Sequence, residues 1–360
     1  MGKIRFGLIG CGNIAHIRYF YAFDNLDTIE LAGIYDKDEE FLKATSKEIG
    51  VKAFASYGDM LNDPSIDAII VTTYHPTHAE LTIQALKAGK HVITEKPIAT
   101  SVNDALLIKQ AAAETDKIYM ALPDDAYPPV EKVKTLLKQG VIGQVCSIDG
   151  YFGHHGPLHA PWFFDYDRAE WGVLADLGVY PISTLTYLFG PVGRVSGEIS
   201  CLQKTRISEA NETFTASVED NIAALLAWPD GKFATIRSNW CTVGYKDDSI
   251  WDFRIYGSEG IIYLDMMLKS SEVVVYLPDK QPSEAKEIKH LGKNKCFQYS
   301  IGEADMSLDL MNQFVEAIKK NQKMPDDGCS IVRQSHVIEI IDKIYQSAKA
   351  GKMLELTTRF

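Results

Sequence analysis

The sequence predicts an α/β protein, with an N-terminal doubly wound parallel sheet and a C-terminal α/β domain built on a large, mostly antiparallel open sheet. Three observations lead there. Short apolar, β-branched runs alternate with stretches of helical spacing as far as Leu122; beyond Pro123 strand-like runs follow one another directly; and 360 residues, at roughly 150 per compact domain, suffice for two cores. The expected division is residues 1–122 and 123–360.

Residues 4–9 (IRFGLI) are an apolar run that stops at Gly10-Cys11-Gly12, and residues 13–23 have helical spacing. Residues 29–35 form a second run ending at Asp36, and helical periodicity over 41–49 stops at Gly50. The pattern repeats with a β-branched run at 68–73, helical spacing over 77–88 before Gly89, and a strand at 91–94 closed by Glu95-Lys96-Pro97. A helix over 103–115 and a strand over 118–122 complete the series. Strands and helices alternating at this spacing imply a parallel sheet. The rhythm then changes to strands over 145–152, 194–202, 217–228, 232–240, 250–256 and 260–265, parted by turns such as Pro229-Asp230-Gly231. Helices are expected over 127–139, 174–188, 308–320 and 331–350.

Composition narrows the function classes. The chain is 46% hydrophobic and 24% charged, ordinary for a folded globular protein. Its 37 Lys and Arg stand against 48 Asp and Glu, a formal charge of −11, which is no footprint for nucleic acid or an anionic membrane surface. Six scattered cysteines with no C-x-x-C pair signal neither a zinc site nor a redox dithiol, and no metal is expected. The N-terminus has no apolar signal region and no run approaches about 20 apolar residues, so a cytoplasmic protein is expected.

Gly10-x-Gly12-x-x-Ala15 follows a strand and opens a helix, so backbone at Gly10, Gly12, Asn13, Ile14 and Ala15 can approach a pyrophosphate at the positive helix end. Asp36 ends the second strand, where a carboxylate accepts hydrogen bonds from both ribose hydroxyls and repels a 2′-phosphate. The pattern favours NAD over NADP, although Lys37 adjoins Asp36 and is able to reach a 2′-phosphate. Thr72, Tyr74 and His78 lie at a strand end on the same side and are expected, with Glu95 and Lys96, as cofactor neighbours. Glu95-Lys96-Pro97 also ends a strand, and a lysine there can donate a charged hydrogen bond to a reacting hydroxyl; a plain surface turn is the competing reading. In Leu174-Ala175-Asp176-Leu177-Gly178-Val179-Tyr180, Asp176 and Tyr180 are four apart and share a helix face. A tyrosine beside a lysine loses its proton more readily and serves as a general base toward an alcohol. On spacing alone, a capping Asp and a core Tyr serve equally well.

The three segments Gly10-Cys11-Gly12-Asn13-Ile14-Ala15, Glu95-Lys96-Pro97 and Leu174–Tyr180 resemble the signature of the glucose-fructose oxidoreductase, inositol dehydrogenase and rhizopine-catabolism (Gfo/Idh/MocA) family. The resemblance extends to Thr77-His78, to Val218-Glu219-Asp220-Asn221 and to Gly257-Ser258-Glu259-Gly260, and covers nearly the whole chain. It implies an N-terminal Rossmann domain binding NAD and a C-terminal domain whose open sheet makes a homo-oligomer, a dimer or higher. It implies hydride transfer at a ring secondary alcohol of a sugar, glycoside or cyclitol. Lys96 then polarises the hydroxyl, Asp176 orients substrate, and Tyr180, where inositol dehydrogenases carry histidine, is the acid/base. Two other activities fit the same resemblance: an NAD-using glycosidase or lyase that oxidises the ring only transiently, and a non-enzymatic NAD-binding regulator.

The chain departs from the family pattern at Glu170-Trp171-Gly172, where a glycine run is usual, and at Ala121-Leu122-Pro123-Asp124-Asp125-Ala126-Tyr127-Pro128, where many relatives carry Arg or Asn before the proline. The segment Gly153-His154-His155-Gly156-Pro157-Leu158-His159 is rich in imidazole, but Gly156-Pro157 argues against a helix that would pair His155 with His159 on a metal. His154 and His155 are read as lining a substrate loop, with a simple surface loop the competing reading. Trp162 stacks on a sugar face or the nicotinamide amide, or is core.

Overall fold

The computed structural model describes the chain apart from residues 1, 127, 243–249, 266–271, 279–281, 283, 292–293, 302–304 and 327. Packing divides it into two units: Met1–Asp124 with Asp305–Ile338 and Phe360, and Asp125–Ala304 with Glu339–Arg359. The first break falls next to the expected boundary, but residues 305–338, assigned from sequence to the second domain, pack with the first.

The first unit runs β1 (Ile4–Ile9), a π-helical turn (Ala15–Phe20) continuing as α1 (Tyr21–Asn25), β2 (Ile29–Tyr35), α2 (Glu39–Ile49), α3 (Tyr57–Asn62), β3 (Ala68–Val71), α4 (His78–Lys87), β4 (His91–Thr94), α5 (Val102–Ala113) and β5 (Tyr119–Ala121). The five strands are parallel, in the order β2-β1-β3-β4-β5. Asp38, Ser56 and Ser101 cap α2, α3 and α5 by accepting N–H groups of the first turn, and Gly50 ends α2 in the left-handed region.

The second unit has α6 (Pro128–Lys138), whose expected first residue Tyr127 lies outside the described residues, then β6 (Val145–Gly153), α7 (Tyr166–Ala169), a π-helical turn (Leu174–Gly178) and α8 (Val179–Phe189). Strands β7 (Arg194–Ser200), β8 (Thr205–Ile207), β9 (Thr213–Thr215), β10 (Asn221–Ala227), β11 (Phe233–Asn239), β12 (Ile250–Gly257), β13 (Ile261–Asp265), β14 (Glu272–Leu277), β15 (Lys286–Leu291) and β16 (Asn294–Ser300) follow, with β17 (Leu354–Glu355) near the C-terminus. Ten of them form one sheet, β15-β16-β14-β13-β12-β6-β11-β10-β7-β17, antiparallel except where β11 runs parallel to β6. β8 and β9 make a separate hairpin. Alternation sets the two faces: Ala234, Ile236 and Ser238 of β11 are buried while Phe233, Thr235 and Arg237 are exposed. The exposed face carries a cleft of about 280 Å³ lined by Tyr151, Glu198, Asn221, Arg237 and Asn239, none of them a residue the sequence singles out for a site.

Two helices close the chain, α9 (Met306–Lys320) and α10 (Ile331–Ala350). α9 rejoins the first unit because its apolar stripe, Leu310, Met311, Phe314 and Val315, extends the core around β1, with Phe314 6.1 Å from Phe6. Among the described residues one helical stretch, Tyr166–Phe189, is long and apolar enough to cross a membrane, where the sequence leads one to expect none; 83% of its most apolar window is buried in the protein, as in a core helix.

Candidate active site

Tyr35, Ile9, Val71, Thr94 and Ala121 stand in one row across the five parallel strands. The residues just past this row, Asp36, Gly10, Thr72, Glu95 and Leu122, therefore share the carboxyl edge of the sheet. Between β1 and β3 the strand order reverses, and open α/β sheets bind ligands at such a switch point.

Gly10 adopts φ +94°, and a Cβ on it would lie 2.7 Å from the Thr72 carbonyl, so no other residue fits. Thr72 Oγ1 fastens this approach, 2.6 Å from the Gly10 carbonyl oxygen and 3.0 Å from that of Ile9. Above Gly12 the space is open, with nothing within 4 Å of the place a Cβ would take. Asn13 is exposed and Ile14 half-buried at the mouth of the turn, whereas Ala15 is buried and packs into the core. Asp36 is oriented by two backbone donors: Oδ2 accepts Cys11 N–H at 2.8 Å and Oδ1 accepts Asp38 N–H at 3.0 Å. Each oxygen keeps a further lone pair for a hydroxyl. Lys37 Nζ sits 4.5 Å from the centre of the Tyr74 ring, held beside Asp36 by a cation–π contact. Open space over Gly12 and an oriented carboxylate one strand away fit a dinucleotide.

Glu95 is nearly fully buried and its Oε1 accepts from Arg18 Nη1 at 2.7 Å and from Tyr19 Oη at 3.0 Å, while Oε2 accepts Lys96 N–H at 3.2 Å. The helical run after the glycine turn thus grips the residue before Lys96, which is itself half-buried. His78 is buried beneath this edge, with Nδ1 2.8 Å from the Pro97 carbonyl and Nε2 2.9 Å from that of Thr73. It joins the segments after β3 and β4 rather than facing open space, and burial pushes its imidazole below the ordinary value, leaving it neutral at pH 7.

In the second unit Asp176 is buried on the π-helical turn Leu174–Gly178, and half-buried Tyr180 follows on the first turn of α8. The Tyr180 ring lies 5.0 Å from Trp251 of β12, and Trp251 lies 5.3 Å from Phe152, which leads through Gly153 to the histidine segment. There His154 is half-buried and its Nδ1 accepts Gly156 N–H at 2.8 Å, whereas the His155 side chain is exposed. The His155 carbonyl accepts from Arg206 Nη1 at 3.2 Å, and Arg206 in turn pairs with Asp220 at 2.9 Å. Trp162 is half-buried and stacks on Phe163 at 3.9 Å. The divergent Asp124-Asp125 is structural: Asp124 accepts from Gln313, and buried Asp125 accepts from Ser183 and Thr184 of α8.

Sequence reasoning missed Arg18, Arg206, Trp251 and Tyr345 as supports of these groups. Arg18 alone has a local signal, since it stands one turn beyond Ala15 on the helix that opens at the glycines.

Residues 4–122 match the family described as "Oxidoreductase family, NAD-binding Rossmann fold", and residues 130–263 match the "GFO/IDH/MocA C-terminal domain". The chain belongs to the Gfo/Idh/MocA family. As a member it is an oxidoreductase that binds NAD. Gfo/Idh/MocA relatives include a myo-inositol 2-dehydrogenase of Thermotoga maritima, 26% identical over 327 residues and 89% of each chain. A dTDP-3,4-didehydro-2,6-dideoxy-α-D-glucose 3-reductase of Streptomyces violaceoruber is 25% identical over 97% of each. Among solved structures, levoglucosan dehydrogenase in complex with NADH superposes with a TM-score of 0.83 over 99% of this chain and 100% of its own, at 20% identity, which speaks for the fold.

Proposed function

We propose that this protein is an NAD-dependent dehydrogenase that moves a hydride between a ring secondary alcohol of a sugar, glycoside or cyclitol and nicotinamide. The observation that carries the reading is Lys96 on the same sheet edge as the Gly10 turn and Asp36, in a chain of this family. Relatives are named as dehydrogenases of myo-inositol and D-xylose and as a 3-reductase of a dTDP-linked deoxysugar, which supports the substrate class.

In this reading Gly10, Gly12, Asn13 and Ile14 hold the pyrophosphate by backbone and Asp36 holds the ribose hydroxyls. Bound NAD+ supplies the hydride acceptor. Lys96 donates a charged hydrogen bond to the reacting hydroxyl and stabilises the negative charge that grows on its oxygen. Tyr180, acting as its phenolate, takes the hydroxyl proton on Oη and becomes the neutral phenol, and the Asp176 carboxylate accepts a hydrogen bond from a neighbouring hydroxyl to orient the ring. His154, His155 and Trp162 are assigned to the substrate side. A cytoplasmic homo-oligomer formed through the exposed face of the large sheet completes the proposal; six cysteines that form no disulfide suit a reducing compartment.

The test is nicotinamide absorbance with purified protein, NAD+ or NADP+, and a panel of inositols, free sugars and glycosides. NADH forming with one substrate class, with NAD+ preferred, supports the reading. Conversion of substrate without net NADH would replace it by transient oxidation, and tight NAD binding with no conversion would favour a regulatory role.

A further inference from the structure

Glu219 takes no part in the proposed chemistry, yet it is buried in the segment that leads into β10. Its Oε1 accepts Gly172 N–H at 3.0 Å, Leu174 N–H at 3.1 Å and the Tyr345 phenol of α10. Its own carbonyl oxygen accepts Val173 N–H at 3.2 Å. Three successive amides at the start of the helical run that carries Asp176 and Tyr180 therefore end on one residue. A helix start leaves its first N–H groups without intrahelical partners and carries partial positive charge, so a carboxyl group is the side chain that satisfies both.

The surrounding packing is close on both sides of the segment. A Cβ at Gly172 would lie 2.3 Å from the Glu219 carbonyl oxygen and 3.0 Å from its carboxyl carbon, which is why glycine stands where the family's glycine run survives only in part. Trp171 stacks on the Tyr345 ring at 5.7 Å and 22°. The segment 171–174 is thus clasped by Glu219 on one side and Tyr345 on the other.

We infer that Glu219, held by Tyr345, is a positioning residue that fixes the start of the helical run and thereby the placement of Asp176 and Tyr180. The inference rests on the reading of those two residues as substrate-facing. Burial pushes the Glu219 carboxyl up to about 7. Among the described residues the titratable groups acting with it are Tyr345 on α10, Tyr166 beyond Tyr345, and Cys201 after β7. Ionised Glu219 gains more than the neutral acid from release to water, so the clasp loosens as pH rises through neutrality.

The experiment combines hydrogen exchange over residues 172–180 with steady-state kinetics and NADH binding for wild type, Glu219→Ala, Glu219→Gln and Tyr345→Phe. Glu219→Ala should speed exchange at 172–176 and lower kcat by about tenfold or more, the loss of roughly one strong hydrogen bond, with NADH affinity unchanged. Glu219→Gln, which keeps an acceptor oxygen, should recover most of both and flatten the kcat profile around neutral pH. Wild-type exchange and kcat in Glu219→Ala, or loss of NADH binding in step with kcat, would overturn the inference. If that variant does not fold, Tyr345→Phe, which deletes the phenol that holds the carboxyl, should still speed exchange at 172–176, and wild-type exchange there overturns the inference instead. Absence of turnover in the wild type would count against the proposed reaction alone, because exchange reads the tether without it.

Discussion

Arg18 Nη1 lies 2.7 Å from Glu95 Oε1, so the helical run that follows the glycine turn is tied by charge to the residue that precedes Lys96. The Glu95 side chain is 5% exposed and that of Arg18 23%, which makes the pair partly screened on one side. Removing one partner of a buried pair strands the other charge. Arg18→Met should destabilise the protein by about 2–3 kcal/mol, below the range for fully buried pairs because of that exposure. Urea unfolding monitored by fluorescence measures it, and a loss within experimental scatter would show that Tyr19 and backbone suffice for Glu95.

Asp36 is the side chain expected to favour NAD, with Lys37 beside it able to reach a 2′-phosphate. Asp36→Ala removes the acceptor for Cys11 N–H and Asp38 N–H and, in the proposed reading, for the ribose. NAD+ affinity should fall by about 30-fold, near 2 kcal/mol, and NADP+ affinity by less, because the carboxylate no longer repels a 2′-phosphate. Titration calorimetry with both nucleotides decides it; equal losses for the two would remove Asp36 from the ribose site.

Tyr180→Phe keeps the ring that packs on Trp251 at 5.0 Å and deletes only the hydroxyl. A general base contributes typically 10²–10⁴ in rate, so kcat should fall by about that factor while NADH affinity and Tm stay near wild type. Turnover within a few fold of wild type would take the acid/base role away from Tyr180.

Glu219 also makes stability depend on pH with a definite sign. Its folded value, about 7, is raised above the ordinary 4.5 by burial, so the folded state holds the proton more tightly than the unfolded chain. The stabilising contribution is fully present below about pH 4.5 and is lost as pH rises through 7, a change on the order of 3 kcal/mol. Unfolding midpoints measured from pH 5 to 8 should decline in the wild type more steeply than in Glu219→Gln. Parallel curves would mean that the carboxyl titrates normally.

Arg206 and Asp220 have side chains 4% and 0% exposed, and Asp220 also accepts Leu202 N–H and Gln203 N–H at 2.8 Å. Arg206→Met should cost about 3–5 kcal/mol and release the His155 carbonyl. Thermal unfolding checks the first effect, and faster amide exchange over 154–160 checks the second.

The parts of this architecture that are local in sequence were legible. The Gly10 turn, Asp36 and the strand ends follow from runs of six or seven residues, and their common edge follows from the parallel register that such alternation implies. The large sheet was legible only to residue 265, although EVVVYL over 272–277 carries a clear β-branched run; KEIKHL of the edge strand β15 and NKCFQYS of its neighbour β16 are too polar to signal themselves. α3 is one and a half turns capped by Ser56, too short for periodicity to reveal. The pairs that hold the candidate site were illegible for a different reason. Glu219 and Tyr345 are 126 residues apart, and Arg18 and Glu95 are 77 apart, so each becomes a partner only through tertiary packing that no spacing rule encodes.

Hydride transfer from a ring carbon to nicotinamide is the step on which the proposed function stands, and isotope transfer follows that hydride itself. With the panel substrate that disappears fastest, deuterated at its carbinol carbons, the nicotinamide and the sugar product are analysed by mass spectrometry. One deuterium should appear on the nicotinamide per oxidised substrate, with NADH accumulating in step, and both should be lost in Lys96→Ala and Tyr180→Phe. Product that forms while the deuterium stays on the sugar and no NADH accumulates would contradict the dehydrogenase reading.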